Sequence, residues 1–108
     1  GEKSDSVAYQ KITQSEAKKI MDSAEKFILL DVRTQEEYNE KHIPKAIVIP
    51  DSEIKERAER EIANKNALIL VYCRSGSRSK KATDILIASG YTNVKDFGGI
   101  NDWPYETE

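Results

Sequence analysis

Cysteine occurs once in the 108 residues. That excludes an internal disulfide and any cysteine-rich metal site, and it leaves a single thiol that is either structural or reactive. A dominant charge is also missing. Seventeen Lys+Arg stand against 19 Asp+Glu, a formal net charge of −2, so no global positive field exists to hold nucleic acid, and any anion site must be local. Long apolar runs are lacking. Phe27-Ile28-Leu29-Leu30 and Ala67-Leu68-Ile69-Leu70-Val71-Tyr72 fall far short of the roughly 20 residues a transmembrane helix needs. The sequence starts at Gly1 rather than Met, followed by polar Glu2-Lys3-Ser4-Asp5-Ser6. Residues 1–6 are therefore expected to be an N-terminal segment that is disordered or left from cloning. The expected location is cytoplasmic, with export or lipid anchoring as the alternative had a signal been removed.

What is present suits one small soluble domain. A hydrophobic fraction of 38% and a charged fraction of 33% match the polar covering that a high surface-to-volume ratio demands, and the length leaves no room for two independent cores.

Thr13 with Glu16 and Thr34 with Glu37 have the spacing of capping boxes and predict two helix starts. Phe27–Leu30 reads as a strand covered on both faces and ends abruptly at Asp31. Ile47-Val48-Ile49 is a short β-branched run closed by Pro50, and Ser52 to Ile62 predicts a charged surface helix with Ile54, Ala58 and Ile62 on one face. Ala67–Tyr72 is the second buried strand. A polar loop then runs to Arg78, and a helix is predicted from Ser79 to Ser89 with Gly90 as its stop. Val94 begins a last strand, and Gly98-Gly99 marks a turn. Strands alternating with helices indicate an α/β fold, a mostly parallel sheet with helices on both faces. In such sheets, ligands sit beyond the carboxyl ends of the strands, where Cys73 falls.

The attacking form of a cysteine is its thiolate, and an ordinary thiol with pKa of about 8.5 is mostly protonated at neutral pH. Arg74, Arg78 and the start of the following helix all favour the anion at Cys73. Ser75, Gly76 and Ser77 are small, and Gly76 permits positive φ, so the loop can curl its amide hydrogens inward as an anion nest. A cysteine taken at random is more commonly a small buried hydrophobe. Strand end, small-residue loop and two arginines together reverse those odds.

Tyr72-Cys73-Arg74-Ser75-Gly76-Ser77-Arg78-Ser79 resembles the active-site loop of single-domain, bacterial-type rhodanese-like sulfurtransferases, the thiosulfate sulfurtransferase family. Leu30-Asp31-Val32-Arg33 with Glu36-Glu37-Tyr38, and His42-Ile43-Pro44-Lys45-Ala46-Ile47-Val48-Ile49-Pro50, are similar to its upstream motif. Gly90-Tyr91, Val94, and Phe97-Gly98-Gly99-Ile100 with Trp103 resemble its C-terminal one. The resemblance implies a rhodanese-like domain over residues 7–108, with a sheet of about five strands. It also implies a cycle in which Cys73 takes the outer sulfur of a small anionic donor such as thiosulfate, or of a persulfide. Cys73 then becomes a persulfide itself and passes the sulfur to cyanide, a thiol or a protein acceptor. No cofactor and no metal is implied, and the expected state is a monomer or weak dimer. Arg78 foremost and then Arg74 would hold the donor, with the Arg74–Arg78 loop (Arg74, Ser75, Gly76, Ser77, Arg78) lining the persulfide. Lys45 stands where the family usually has Gly, which puts the type of turn after Pro44 in question.

The remaining candidates have bland readings. Asp31 and Arg33 lie at the same sheet edge as Cys73 and are candidates to line the site; a mutual ion pair, or a cap made by Asp31, is at least as good a reading. The single His42 reads as structural rather than as a base for Cys73, and Trp103 as a cover for the core. Three rival functions remain. A cysteine phosphatase or arsenate reductase would place five residues between Cys and Arg, whereas four separate Cys73 from Arg78. A docking module of this fold would commonly lack the cysteine. A persulfide carrier serving protein partners is the third.

Overall fold

The computed structural model describes residues 8–108; the expected N-terminal segment 1–6 lies outside them. Four strands, β1 (Ile28–Asp31), β2 (Ile47–Val48), β3 (Ile69–Cys73) and β4 (Val94–Gly99), form a parallel sheet in the order β2-β1-β3-β4. A single-residue parallel bridge between Lys11 and Asp96 extends the sheet beyond β4. The expected sheet of about five strands is thus four strands and a bridge. The helices are α1 (Gln14–Asp22), α2 (Gln35–Glu40), α3 (Ile54–Glu61) and α4 (Ser77–Ala88), with 3₁₀ turns at Asp51–Glu53 and Ile100–Asp102.

All five residues of β3 are buried, because β1 and β4 pair with its two edges and helices cover both faces. The twofold alternation of a strand then decides where each side chain goes. Ile69, Val71 and Cys73 join Leu30, Ile54, Ala58, Ala82 and Leu86 in the core under α3 and α4. Leu70 and Tyr72 join Leu29, Ala17, Ile43, Phe97 and Trp103 in the core on the opposite face. Cys73 is therefore the last inward position on the α3/α4 side of the sheet.

Both capping boxes form, at Thr13–Glu16 and Thr34–Glu37. Several boundaries differ from the sequence reading, each for a local reason. β3 runs to Cys73 instead of stopping at Tyr72, since β4 continues to pair with it through Gly99. Helix α4 begins at Ser77 rather than Ser79 because Gly76, at φ 117°, turns the chain straight into the helix. Arg78 consequently sits in the first turn of α4 and does not end a loop. Gly98 and Gly99 close β4, where the pairing register shifts, and the turn comes after them as the 3₁₀ segment. The helix expected over Ser52–Ile62 divides into a 3₁₀ turn and α3, with Ile54, Ala58 and Ile62 buried as read. Lys45 has φ 77°, the only positive φ at a non-glycine position among the described residues. The turn after Pro44 thus keeps a glycine-type backbone while carrying a side chain that disfavours it.

Candidate functional site

Cys73 ends β3 with 0% exposure, and its Sγ accepts the backbone N–H of Gly76 at 3.0 Å. That contact folds the Cys73–Gly76 segment back over the sulfur. Three further bonds fix the loop. Asn101 N–H donates to the Arg74 carbonyl at 3.1 Å. The Gly76 carbonyl accepts from Ser79 Oγ at 3.0 Å and from Lys80 N–H at 3.2 Å. Beneath the loop lies Gly99, where a Cβ would stand 2.1 Å from the Arg74 oxygen and 2.7 Å from Ser75 Cα. The loop can rest there only because that position has no side chain. Arg74, Ser75 and Ser77 are exposed, Gly76 and Arg78 half-buried.

The two loop arginines have different surroundings. Arg78 donates from Nη1 to Glu37 Oε1 at 2.8 Å and from Nη2 to Glu37 Oε2 at 3.0 Å, a two-point pair of the kind that holds a guanidinium firmly. Glu37 is itself held, since Oε1 also accepts from Thr34 N–H at 3.0 Å and from Thr34 Oγ1 at 3.1 Å. The Arg78 hydrogen bonds, reinforced by Thr34 and opposed by partial burial, bring the Glu37 carboxyl down to about 2, and the same pair raises Arg78. Arg74 is 66% exposed, and its nearest carboxylate contact is Glu37 Oε2 at 4.0 Å, beyond hydrogen-bond reach. The sequence marked Glu37 as half of a capping box and as part of the stretch resembling the family's upstream motif, but gave it no role at the Cys73 loop. Its second partner lies 41 residues away, a distance that no local pattern reports.

Asp31 and Arg33 pair with each other: Arg33 Nη2 donates to Asp31 Oδ2 at 2.7 Å and Nε to Oδ1 at 3.0 Å. Asp31 also accepts the Tyr72 hydroxyl at 2.7 Å, which in turn accepts Ile43 N–H at 3.1 Å, while Arg33 Nη2 reaches the Lys41 carbonyl at 2.8 Å. Burial and the neighbouring carboxylate push the Tyr72 phenol well above its ordinary range. This network ties β1, β3 and the end of α2 together beneath the mouth of the site. Arg33 also faces a cavity of about 160 Å³ beyond the strand ends, shared with Glu37, Glu40, Lys41, Arg74, Ile100 and Asn101; Asp31 is wholly buried below it.

His42 stacks on Tyr38 with ring centroids 3.8 Å apart. Its Nδ1 is 2.9 Å from the Tyr38 carbonyl and its Nε2 3.4 Å from Glu108, so its partners belong to the fold. Trp103 packs on Phe97 at 5.5 Å and donates Nε1–H to the Glu106 carbonyl at 3.1 Å, covering the core. Among the described residues no helix is long and apolar enough to cross a membrane.

Comparison with known proteins supplies the family. The model of the rhodanese-like domain matches residues 13–105. The chain is 42% identical over 73 residues to thiosulfate sulfurtransferase PspE of Escherichia coli, covering 68% of this chain and 70% of that protein. It is 38% identical over 92 residues to the putative sulfur carrier protein YrkF of Bacillus subtilis, where it covers 84% of this chain but only 49% of the relative. A solved structure of a rhodanese with anions from E. coli has 37% identity and a TM-score of 0.72, covering 77% of this chain and 98% of that one.

Proposed function

The chain belongs to the rhodanese-like sulfurtransferase family, and from that premise we propose that it moves sulfane sulfur from thiosulfate or a persulfide donor to cyanide or a thiol through a persulfide on Cys73. The observation that carries this reading is the sulfur at the end of β3 beneath a loop whose Gly76 N–H points at it at 3.0 Å. Cys73 is also the only thiol in the chain.

The step balances without an outside oxidant. The Cys73 thiolate attacks the outer sulfur of thiosulfate, the new Sγ–S bond forms, the S–S bond of the donor breaks, and its electron pair leaves with sulfite. An acceptor nucleophile then attacks the outer sulfur of the Cys73 persulfide. Its bond to that sulfur forms as the persulfide bond breaks and the thiolate returns. In this reading Arg74, Ser75, Gly76, Ser77 and Arg78 surround the donor and the persulfide. Gly76 N–H stabilises the negative sulfur in both states, and Arg33 lines the approach above Asp31.

Mass spectrometry after thiosulfate treatment tests it. The wild-type chain should gain one sulfur that cyanide removes, and Cys73→Ser should gain none. Turnover of a generic phosphate monoester with no sulfur gained from thiosulfate would place the chain among the cysteine phosphatases instead. A second reading, a carrier whose donor and acceptor are proteins, draws on the likeness to YrkF. It predicts that Cys73 is loaded by small donors yet turns over slowly with small acceptors.

A further inference from the structure

The electrostatic make-up of the mouth bears on which donor it takes. Arg33, Lys41 and Arg74 line the cavity with Glu37 and Glu40. Arg78 reaches Glu37 from α4 and also feels the charge of Asp51, and buried Asp31 offsets Arg33 from below. The carboxylates thus already match the cations in number before the proposed thiolate of Cys73 is counted. The mouth carries no surplus positive charge for an arriving dianion. Within the loop the compensation is uneven. Arg78 gives both terminal nitrogens to Glu37, whereas the Arg74 side chain makes no hydrogen bond among the described residues and is 66% exposed, although its carbonyl is anchored by Asn101.

We propose that Glu37 is a specificity-determining residue: by taking up the charge of Arg78 it leaves Arg74 as the loop's available cation, and so favours a singly charged alkyl persulfide over dianionic thiosulfate as donor. The inference rests on the sulfurtransferase reading above and narrows its donor. Glu37 acts through Arg78, as a positioning residue, and the Thr34 hydroxyl and amide that hold its carboxylate keep it aimed across the loop. The persulfide step balances as before: the Cys73 thiolate takes the outer sulfur, the donor's S–S bond breaks, and a thiolate leaves in place of sulfite.

The test compares the rates at which Cys73 is loaded by thiosulfate and by 2-hydroxyethyl persulfide, whose tail is uncharged. Glu37→Gln keeps an acceptor for the Thr34 cap but frees the charge of Arg78. It should raise the thiosulfate-to-persulfide rate ratio about tenfold, as expected for one additional unit charge in a partly exposed site. Adding Arg78→Gln to that variant should bring the ratio back down, and Arg74→Gln alone should lower it about tenfold. A merely structural role for Glu37 would slow both donors together and leave the ratio fixed. The unmodified protein gives an independent readout: with no surplus charge at the mouth, its thiosulfate rate should change less than about twofold between low and physiological salt. A ratio in Glu37→Gln within twofold of wild type, or a steep fall of the wild-type rate with salt, would overturn the proposal. If neither donor loads Cys73, the sulfurtransferase reading itself fails; if both load it and the ratio ignores residue 37, only the role of Glu37 falls.

Discussion

Two arginine–carboxylate pairs flank the mouth of this fold, and they differ in every respect that decides what an ion pair does. Asp31 and Arg33 are two residues apart, with side chains 0% and 5% exposed, and are tied further to Tyr72 and Lys41. Glu37 and Arg78 come from separate helices, with side chains 19% and 29% exposed, and meet over the loop that carries Cys73. Breaking the first leaves a buried charge without its counter-charge, a large cost. Breaking the second exposes charges that water can reach, a small cost to stability, while changing the field an incoming anion meets. The first pair is scaffold. The second is a place where electrostatics can be tuned without dismantling the fold.

The largest expected effect breaks the scaffold side of that contrast. Asp31→Ala should lower stability by about 3–5 kcal/mol, read as a shift in the urea midpoint, because Arg33 and the Tyr72 hydroxyl lose their buried acceptor together. A loss under about 1 kcal/mol would mean that the two pairs are alike. Next comes the contact beneath the loop. Gly99→Ala places a methyl group where the Arg74 carbonyl now lies and should cost about 1–3 kcal/mol, with loading of Cys73 slowed more than tenfold. Loading at the wild-type rate would show that the loop position is not needed. Smaller still is Lys45→Gly, two residues from the Ile43 N–H that Tyr72 receives. It removes a side chain from a left-handed position and should stabilise by about 1 kcal/mol, with no change in the donor ratio. A loss of stability would show that the Lys45 side chain contributes more than its backbone strain costs.

How much of this was legible in the sequence follows the same division. Features set by neighbours in the chain could be read: both capping boxes, the buried run up to Tyr72, the Gly90 stop. An ion pair between Asp31 and Arg33 was one of the readings left open at that strand end, beside lining the site or a cap by Asp31, and it forms. Features set by distant segments could not be read. The start of α4 moved because Gly76 turns sharply over Gly99, whose own role appears only once β4 is laid against the loop. Glu37 carried a complete local explanation as a cap residue, so nothing in its neighbourhood called for a second partner, and Arg78 lies 41 positions further on. The observed difference between Arg74 and Arg78, one exposed and the other paired with Glu37, is therefore a product of topology.

The smallest expected effect isolates the tunable pair by pH. Glu37 in the fold titrates at about 2 against an ordinary 4.5, chiefly because Arg78 hydrogen-bonds its ionised form. A carboxyl held down in this way binds protons less readily folded than unfolded. Its stabilisation is complete above about pH 4.5 and disappears as pH falls from there through about 2. Because both side chains reach water, the whole contribution should be only about 0.5 kcal/mol. Urea unfolding of wild type and Glu37→Gln at pH 6, 4 and 3 should show the whole wild-type advantage at pH 6, most of it at pH 4 and a clearly smaller part at pH 3. Asp31→Ala, measured in parallel, should remain the weaker protein at pH 6 by several times that margin. An advantage over Glu37→Gln that persisted unchanged to pH 3 would mean that the Glu37–Arg78 charges are not what stabilises the wild type, and the contrast between the two pairs would then rest on burial alone.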